Sequence, residues 1–314
     1  MPETKLRILI IDQMHHSIDD LVRSIGYEPD YRPDIVRSEI KELKEQYAGM
    51  IVRSKTEIDE DLLEGQRQIK FIARAGAGID NLDVDFLKSR KIEIVNAPEG
   101  NRDALGEHVL GMLLSLSNNL PKADDEVRNF IWDREGNRGF EIKDKTVGLL
   151  GYGYMASAVA QRLKCFECDV IAYDKYKTGF SDQHVTEVSR DELFQRTDIF
   201  SIHTPLTNET RDMIDIRFIK KFRKNIVFIN SARGEIVETP DLLEAIKTGK
   251  VTHAALDVLE NEKMKRLNQQ QLETYSELFK LPNVILSPHV GGWTFESYKN
   301  INKVLVDKIS KLKV

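Results

Sequence analysis

Short apolar runs rich in β-branched residues alternate with stretches of helical periodicity over residues 1–100. The runs that predict buried strands are Leu6–Ile11, Met50–Val52, Phe71–Ala73 and Ile92–Val95. The stretches that predict helices between them are Ser17–Ser24, Ser38–Glu45 and Val84–Ser89. Such alternation is typical of a parallel sheet covered by helices on both faces.

A second alternating series begins near Lys145. Its predicted strands are Thr146–Leu150, Val170–Tyr173, Ile199–His203, Ile226–Asn230, Ala254–Val258 and Val284–Leu286. Leu281–Asn283 is interpreted as the linker that returns the chain to the first domain, followed by a helix over Thr294–Lys311. A chain of 314 residues favours two domains over one. We therefore expect one domain of residues 1–100 and 284–314, and a second of residues 101–283 inserted into it.

The segment Asp103–Leu120 predicts a helix that is apolar around most of its circumference, with Pro121 just after its end. A helix of this kind is normally buried. It is expected to connect the domains or to lie in a subunit interface, and we predict a homodimer on this basis.

The net charge of −5 argues against nucleic acid as the main partner, because phosphate backbones attract basic surfaces. No apolar run approaches the ~20 residues that a membrane-spanning helix needs. With two cysteines, Cys165 and Cys168, the chain has no disulfide framework, and a cytoplasmic location is expected. No cluster has the spacing of metal ligands, so no metal is expected.

A glycine-rich turn follows the predicted strand Thr146–Leu150 and precedes a helix. Its pattern, Gly-x-Gly-x-x-Ala, matches the fingerprint that lets a dinucleotide pyrophosphate approach the backbone at a helix N-terminus. The residues expected to line the phosphates are Gly151, Tyr152, Gly153, Tyr154 and Met155. Asp174 ends the next strand, where a carboxylate binds ribose hydroxyls and repels a 2′-phosphate, so NAD is expected. Lys175 and Lys177 leave NADP open.

These patterns predict an α/β protein with two doubly wound parallel sheets. The expected architecture is a Rossmann-type cofactor domain inserted into a flavodoxin-like, substrate-binding domain.

Four further motifs resemble those of the D-isomer-specific 2-hydroxyacid dehydrogenase family. They are His203–Thr210, Ile229–Gly234, Ala255–Glu262 and Ser287–Gly292, and they occur in the family's order at predicted strand ends. The resemblance implies an NAD-dependent oxidoreductase acting at C2 of a D-2-hydroxy acid. The further cofactor contacts that it implies are His203, Thr204, Pro205, Thr210, Ser231, Ala232, Asp257 and Gly291. Among these, Asp257 would hold the nicotinamide carboxamide.

The chemistry of the reaction suits three residues within those motifs. Oxidation at C2 needs a base near neutral pKa, which His289 can supply. A carboxylate beside it would orient the ring, and Glu262 is the candidate, with Glu260 as its rival. Arg233 has the donor fork that binds a substrate carboxylate. The family usually has proline after the glutamate, whereas this chain has Lys263 and then a charged, Gln-rich stretch, Lys265–Glu273.

Two loops in the first domain carry arginines that follow predicted strands. The substrate-binding residues expected there are Arg53, Ser54, Arg74, Ala77 and Gly78. Two arginines beyond Arg233 suggest a second anionic group on the substrate, such as a phosphate. The alternative is that both arginines form structural ion pairs.

This arginine pattern resembles the branch of the family that oxidises 3-phosphoglycerate in serine biosynthesis. A glyoxylate/hydroxypyruvate or D-lactate-type reductase is the alternative within the family. An NAD-sensing, corepressor-like binding protein on the same fold is the alternative of another class. Because one helix follows the histidine motif, no regulatory serine-binding domain is expected.

Overall fold

The computed structural model describes residues 6–312 and divides into two compact units. Unit 1 comprises the chain up to Asp103 together with the segment from Trp293 onward, and unit 2 runs from Ala104 to Gly292. Unit 1 is therefore made of two separate chain segments.

Within the described residues, unit 1 holds a parallel sheet of five strands in the order β2-β1-β3-β4-β5. The strands are β1 (Arg7–Ile10), β2 (Glu28–Tyr31), β3 (Gly49–Val52), β4 (Phe71–Arg74) and β5 (Glu93–Asn96). The helices are α1 (Ser17–Ser24), α2 (Arg37–Glu42), α3 (Glu60–Leu63), α4 (Val84–Ser89) and α12 (Phe295–Ile309). The strand order is that of flavodoxin-like sheets, which confirms the predicted fold of this domain.

Side chains of successive strand residues point to opposite faces of the sheet, and each face is apolar. Ile8 and Ile10 of β1 pack in one cluster with residues of α1 and α12. Leu9 packs in a second cluster with residues of α2, α3 and α4. The near-continuous apolar runs of the central strands follow from this burial on both faces.

Strand β2 was missed by the hydrophobic pattern, because its sequence, EPDY, is polar and contains a proline. It lies at the sheet edge, where proline is tolerated. Its Asp30 accepts hydrogen bonds from Arg7 (2.7 Å) and Tyr47 (2.6 Å) and pairs with Arg32 (3.0 Å). Burial alone would raise the pKa of Asp30, but hydrogen bonds from Arg32 and Tyr47 and the charge of Arg7 lower it. Specific polar contacts therefore hold this strand.

Within the described residues, unit 2 holds a parallel sheet of seven strands in the order β12-β11-β10-β9-β6-β7-β8. The strands are β6 (Thr146–Leu150), β7 (Asp169–Tyr173), β8 (Thr186–Glu187), β9 (Ile199–Ile202), β10 (Ile226–Asn230), β11 (Val251–Leu256) and β12 (Val284–Leu286). The helices are α5 (Arg102–Ser117), α6 (Leu120–Arg128), α7 (Tyr154–Leu163), α8 (Arg190–Arg196), α9 (Ile216–Ile219), α10 (Thr239–Lys247) and α11 (Gln269–Leu278). The strand order reverses between β6 and β9, as in Rossmann folds, which confirms the predicted cofactor fold.

The carboxyl ends of five neighbouring strands of this sheet, from β12 to β6, are in register. The paired end residues are Leu150, Ile202, Asn230, Leu256 and Leu286. The residues that follow them are Gly151, His203, Ser231, Asp257 and Ser287. Open α/β sheets bind ligands beyond the carboxyl ends of their strands. The predicted motifs thus leave the sheet along one edge.

The second domain boundary differs from the prediction. Strand β12 was placed with the substrate-binding domain, but it pairs with β11 and completes the sheet of unit 2. Leu281–Asn283 is therefore a turn before β12 rather than the return linker. The chain passes to unit 1 after Gly292, because the backbone pairing of β12 holds the histidine motif on the cofactor sheet.

The apolar helix also differs in part from the prediction. Helix α5 ends at Ser117, and Leu120 begins α6 with Pro121 in its first turn, where proline is tolerated. The apolar side chains of α5 pack in one cluster with β6 and α7 of the same unit. The apolar side chains of α5 are thus buried against other elements of unit 2. No helix within residues 6–312 has the length and apolar character of a membrane span.

Candidate active site

The glycine-rich turn connects β6 to α7 at the point where the strand order reverses. Gly151 has φ +86°, and a Cβ at this position would lie 3.0 Å from the carbonyl oxygen of His203, so both conformation and space require glycine. Gly153 is the N-cap of α7, and Ala156 is fully buried, which allows helix and strand to pack closely. The turn therefore presents the N-terminus of α7 as an anion-binding site.

The carboxylate after β7 is tied to this turn. Asp174 Oδ2 accepts a hydrogen bond from the amide of Tyr152 (2.8 Å), and Lys177 Nζ donates to the carbonyl of Tyr152 (2.9 Å). Lys175 is paired with Glu209. Of the two lysines that left NADP open, one is thus paired with a carboxylate and the other supports the turn.

The aromatic residues of the turn have different environments. Tyr152 is buried and stacks on Phe180 at 4.8 Å between ring centroids, and burial raises the pKa of its hydroxyl to about 12. Tyr154 is exposed in the first turn of α7, and the neighbouring Met155 packs partly against the core. The turn is therefore anchored through Tyr152.

Two buried hydroxyls near the strand reversal make no hydrogen bond with any described residue. They are Thr204 Oγ1, after β9, and Ser231 Oγ, after β10. Buried hydroxyls are normally hydrogen-bonded, so this pair suits a polar ligand such as a dinucleotide. His203 instead bonds Ser201 Oγ through Nε2 (2.9 Å), and burial lowers its pKa to about 4, which keeps its ring neutral. The loop after it closes on itself, since Thr210 Oγ1 donates to the carbonyl of Pro205 (2.7 Å).

His289 and Glu262 lie together. The Nδ1 atom of His289 is 2.9 Å from Oε1 of Glu262 and 3.1 Å from Oε2. Their side chains are 43% and 47% exposed, so the pair faces solvent and contributes little to stability. The contact fixes the ring, since an Nδ1–H donor leaves Nε2 as an acceptor.

The loop that carries Glu262 is held by α11. The amide of Asn261 donates to the hydroxyl of buried Tyr275 (2.9 Å), and its side chain donates to Gln271 (3.0 Å). The amide of Lys263 donates to Asn261 Oδ1 (3.0 Å), which is a bond that proline could not make. The presence of Lys263, where the family usually has proline, thus allows this hydrogen bond to form.

Glu260 has a different environment. It lines a separate cavity together with Glu238 and Tyr275, and it is Glu262 that contacts His289. Within residues 6–312, His, Cys, Asp and Glu side chains form no group of three or more that could hold a metal ion.

Arg233 follows β10 through a turn fixed by Asn230. The buried side chain of Asn230 accepts from the amide of Ala232 (3.0 Å) and donates to the carbonyl of Arg233 (3.0 Å). Arg233 Nη1 donates to the carbonyl of Ala232 (2.7 Å), and its side chain is partly buried. The backbone that carries the guanidinium is thus rigid.

Asp257 organises the histidine loop. Its side chain is 1% exposed and accepts hydrogen bonds from Ser287 Oγ (2.7 Å), Val290 N (2.9 Å) and Gly291 N (2.8 Å). His108 of α5 places Nε2 3.2 Å from its Oδ1. Burial alone would raise the pKa of Asp257, but these hydrogen bonds hold it at about 2. The carboxylate is therefore charged, buried and hydrogen-bonded to the loop through both of its oxygens.

In unit 1, Arg53 follows β3 and its guanidinium lies over an aromatic ring. Its Cζ is 4.3 Å from the ring centroid of Trp293 and 5.5 Å from that of Tyr298. Its amide donates to buried Asp12 (2.6 Å), while Ser54 is exposed. Burial lowers the pKa of Arg53, but arginine stays charged in proteins. Its side chain is thus preoriented by cation–π contacts.

Arg74 ends β4, the neighbouring strand, where it pairs in register with Val52. The two arginines thus leave adjacent strand ends. The guanidinium of Arg74 folds over the following loop, with Nη1 3.4 Å from the carbonyl of Ala75. Asn96 Nδ2 donates to the carbonyl of Ala77 (2.7 Å), which fixes the loop that continues to Gly78.

Sequence reasoning missed His108, Trp293 and Tyr275 as residues that position the candidate site. Nothing near His108 in the sequence points to Asp257. Trp293 directly follows the histidine motif, so its position was a usable signal. Tyr275 lies in the helix that contains part of the Gln-rich stretch, where the pattern gave no reason to expect contact with the glutamate loop.

Comparison with known proteins gives one consistent result. Residues 110–291 match the model of the D-isomer specific 2-hydroxyacid dehydrogenase NAD binding domain. D-3-phosphoglycerate dehydrogenase of Archaeoglobus fulgidus is 33% identical over 97% of this chain and 56% of its own length. The chain thus spans little more than half of that relative. Hydroxypyruvate reductase of Thermotoga maritima is 33% identical over 88% of each chain.

A solved structure extends the agreement to the whole fold. The glyoxylate reductase of Paecilomyes thermophila superposes with a TM-score of 0.85, covering 98% of this chain and 95% of that one at 24% identity. At this identity the likeness concerns the fold alone. Taken with the motifs at the strand ends, the matches show that the chain belongs to the D-isomer-specific 2-hydroxyacid dehydrogenase family, with an NAD-binding domain at residues 110–291.

Proposed function

We propose that the protein oxidises, or in reverse forms, C2 of a D-2-hydroxy acid with NAD, and that its substrate is 3-phosphoglycerate. The observation that carries the proposal is the contact of His289 Nδ1 with Glu262 at 2.9 Å in the NAD-binding unit. An imidazole held in this way has the form of a general acid–base catalyst.

In the proposed reaction, His289 Nε2 takes the proton of the C2 hydroxyl, and in reverse it returns that proton. Glu262 keeps the ring oriented and stabilises the imidazolium that forms. Arg233 binds the substrate carboxylate through its donor fork. When bound, NAD supplies the hydride acceptor, C4 of its nicotinamide ring.

The cofactor contacts are proposed along the edge of the unit 2 sheet. The residues expected to hold the pyrophosphate are Gly151, Tyr152, Gly153, Tyr154 and Met155. The further residues proposed to contact the cofactor are His203, Thr204, Pro205, Thr210, Ser231, Ala232, Asp257 and Gly291, with Asp257 at the nicotinamide carboxamide. The free hydroxyls of Thr204 and Ser231 support this assignment. Asp257 Oδ2 accepts one amide and can accept a second donor, which would suit the carboxamide.

NAD is proposed over NADP because of Asp174. Its carboxylate suits ribose hydroxyls and would repel a 2′-phosphate. The pairing of Lys175 with Glu209 supports this preference, because it offsets a cation that a phosphate would use.

The phosphate is assigned to Arg53 and Arg74, with Ser54, Ala77 and Gly78 completing the substrate loops. The two arginines leave adjacent strand ends, and a phosphate has enough acceptor oxygens for both. The stacking of Arg53 on Trp293 supports the proposal, since it preorients the guanidinium. Hydroxypyruvate reduction is the alternative, because the Thermotoga maritima relative, 33% identical over 88% of this chain, is named hydroxypyruvate reductase.

We also propose a homodimer, but through a different surface from the one the sequence suggested. Within described residues of unit 2, large apolar side chains are exposed on α6 and the loop after it. They are Leu120, Val127, Phe130, Ile131 and Trp132. Phe130 is 99% and Trp132 80% exposed, and aromatic side chains are enriched in protein interfaces.

The catalytic assignment predicts that His289→Ala lowers kcat by ~10²–10⁴-fold, because the proton acceptor is lost. NAD binding, measured by fluorescence titration, should stay near the wild-type value. Assays with 3-phosphoglycerate, D-glycerate, D-lactate and hydroxypyruvate identify the acid. His184→Ala is the matched control from a surface loop of the same unit. Near-normal turnover of the His289 variant would refute the assignment.

The phosphate assignment predicts that Arg53→Ala lowers kcat/KM for 3-phosphoglycerate by roughly 10- to 100-fold, because charge-assisted hydrogen bonds are lost. Trp293→Leu keeps the charge but removes the stacking, and roughly a 3- to 30-fold loss is expected. D-glycerate, which lacks the phosphate, should be affected much less. Phe295→Leu, at a 93% exposed position, is the control. Equal losses on both acids would mean that Arg53 serves the fold or the carboxylate.

The interface assignment predicts a dimer in light scattering at micromolar concentration. Replacing Phe130 and Trp132 together by aspartate should shift the mass to that of a monomer, since buried charges oppose association. Phe295→Asp should leave the dimer intact. A monomeric wild type would contradict the proposal.

A further inference from the structure

The loop that carries His289 has an unfavourable backbone. His289 has φ +55°, in the left-handed region, which a non-glycine residue keeps only when its surroundings enforce it. Its amide donates to the carbonyls of Asp257 (2.8 Å) and Ser287 (3.0 Å). The loop therefore depends on contacts beyond its own sequence.

The side chain of Asp257 supplies those contacts on both sides of His289. It accepts from Ser287 Oγ on one side, and from the amides of Val290 and Gly291 on the other. A Cβ on Gly291 would lie 2.8 Å from Asp257 Oδ2, so even a methyl group would push the carboxylate away. There is thus no space for a side chain between the Asp257 carboxylate and the backbone of Gly291.

His108 closes the arrangement from another element, α5. Its Nε2 is 3.0 Å from Ser287 Oγ and 3.2 Å from Asp257 Oδ1. The ionised carboxylate can only accept, so the single hydroxyl proton of Ser287 goes to Asp257 at 2.7 Å. His108 Nε2 must then carry a proton and donate to both oxygens.

We propose that His108 is a positioning residue for catalysis: with Asp257 and Ser287 it forms a clasp that holds the loop of His289 in its active conformation. The inference rests on the proposed function of His289. A buried carboxylate that lost one donor would be undercompensated and would move toward other donors or water. The amides of Val290 and Gly291 follow that carboxylate, and with them the ring of His289.

The test compares two substitutions of His108 that differ in one donor. In His108→Gln, the new side chain can place an amide N–H near the position of Nε2, whereas the leucine of His108→Leu fills space without donating. His108→Leu should lower kcat roughly 10- to 100-fold through misplacement of His289. His108→Gln should restore most of kcat. Ser287→Ala, a smaller change, should also lower kcat, and its effect should be non-additive with that of His108→Leu.

Hydrogen exchange gives a readout that needs no turnover. The amides of Val290 and Gly291 should exchange faster in His108→Leu than in the wild type, and near the wild-type rate in His108→Gln. Unchanged kcat and exchange in His108→Leu would overturn the proposal, as would equal impairment of the two variants. If the wild type turned over none of the acids, the proposed function would fail, while exchange would still decide whether the clasp holds the loop.

Discussion

Parallel pairing in register is the constraint on which the candidate site depends. Five strands of unit 2 end at the same level, so the residue after each end leaves the sheet along one edge. Residues far apart in the sequence, Gly151 and Ser287 among them, thereby line the same edge. A single slip in register would turn the side chains of that strand to the opposite face, so the buried apolar strands also fix the position of the chemistry.

The loops beyond that edge are held by buried polar side chains, two of them at strand ends and one on helix α11. Asn230 fixes the turn of Arg233, Tyr275 fixes the loop of Glu262, and Asp257 fixes the loop of His289. Each is almost fully buried, and each satisfies backbone groups that a short loop leaves exposed. The side chains proposed to react are more exposed, His289 at 43% and Glu262 at 47%, as access to a substrate would require. The residues that hold these loops are thus different from the residues proposed to react.

The sequence predicted what short-range patterns encode, including both sheets, the glycine turn and the motif residues at strand ends. The prediction failed where contacts between distant parts of the chain determine the structure. Strand β2 is polar and held by Asp30, and β12 belongs to unit 2 because of its pairing with β11. His108 meets Asp257 only through the folding of α5 against the sheet, and no local spacing predicts that contact. The apolar pattern of α5 predicted its burial, and the side chains that pack against it come from β6 and α7 of its own unit.

The central claim is that His289 and the NAD-binding unit act together in hydride transfer at C2 of a D-acid. It is tested most directly by incubating the protein with NAD and D-3-phosphoglycerate labelled with deuterium at C2. The account predicts that the deuterium is recovered on C4 of the reduced nicotinamide, and that the L isomer gives none. Failure of the label to reach the nicotinamide, or equal transfer from the L isomer, would contradict it.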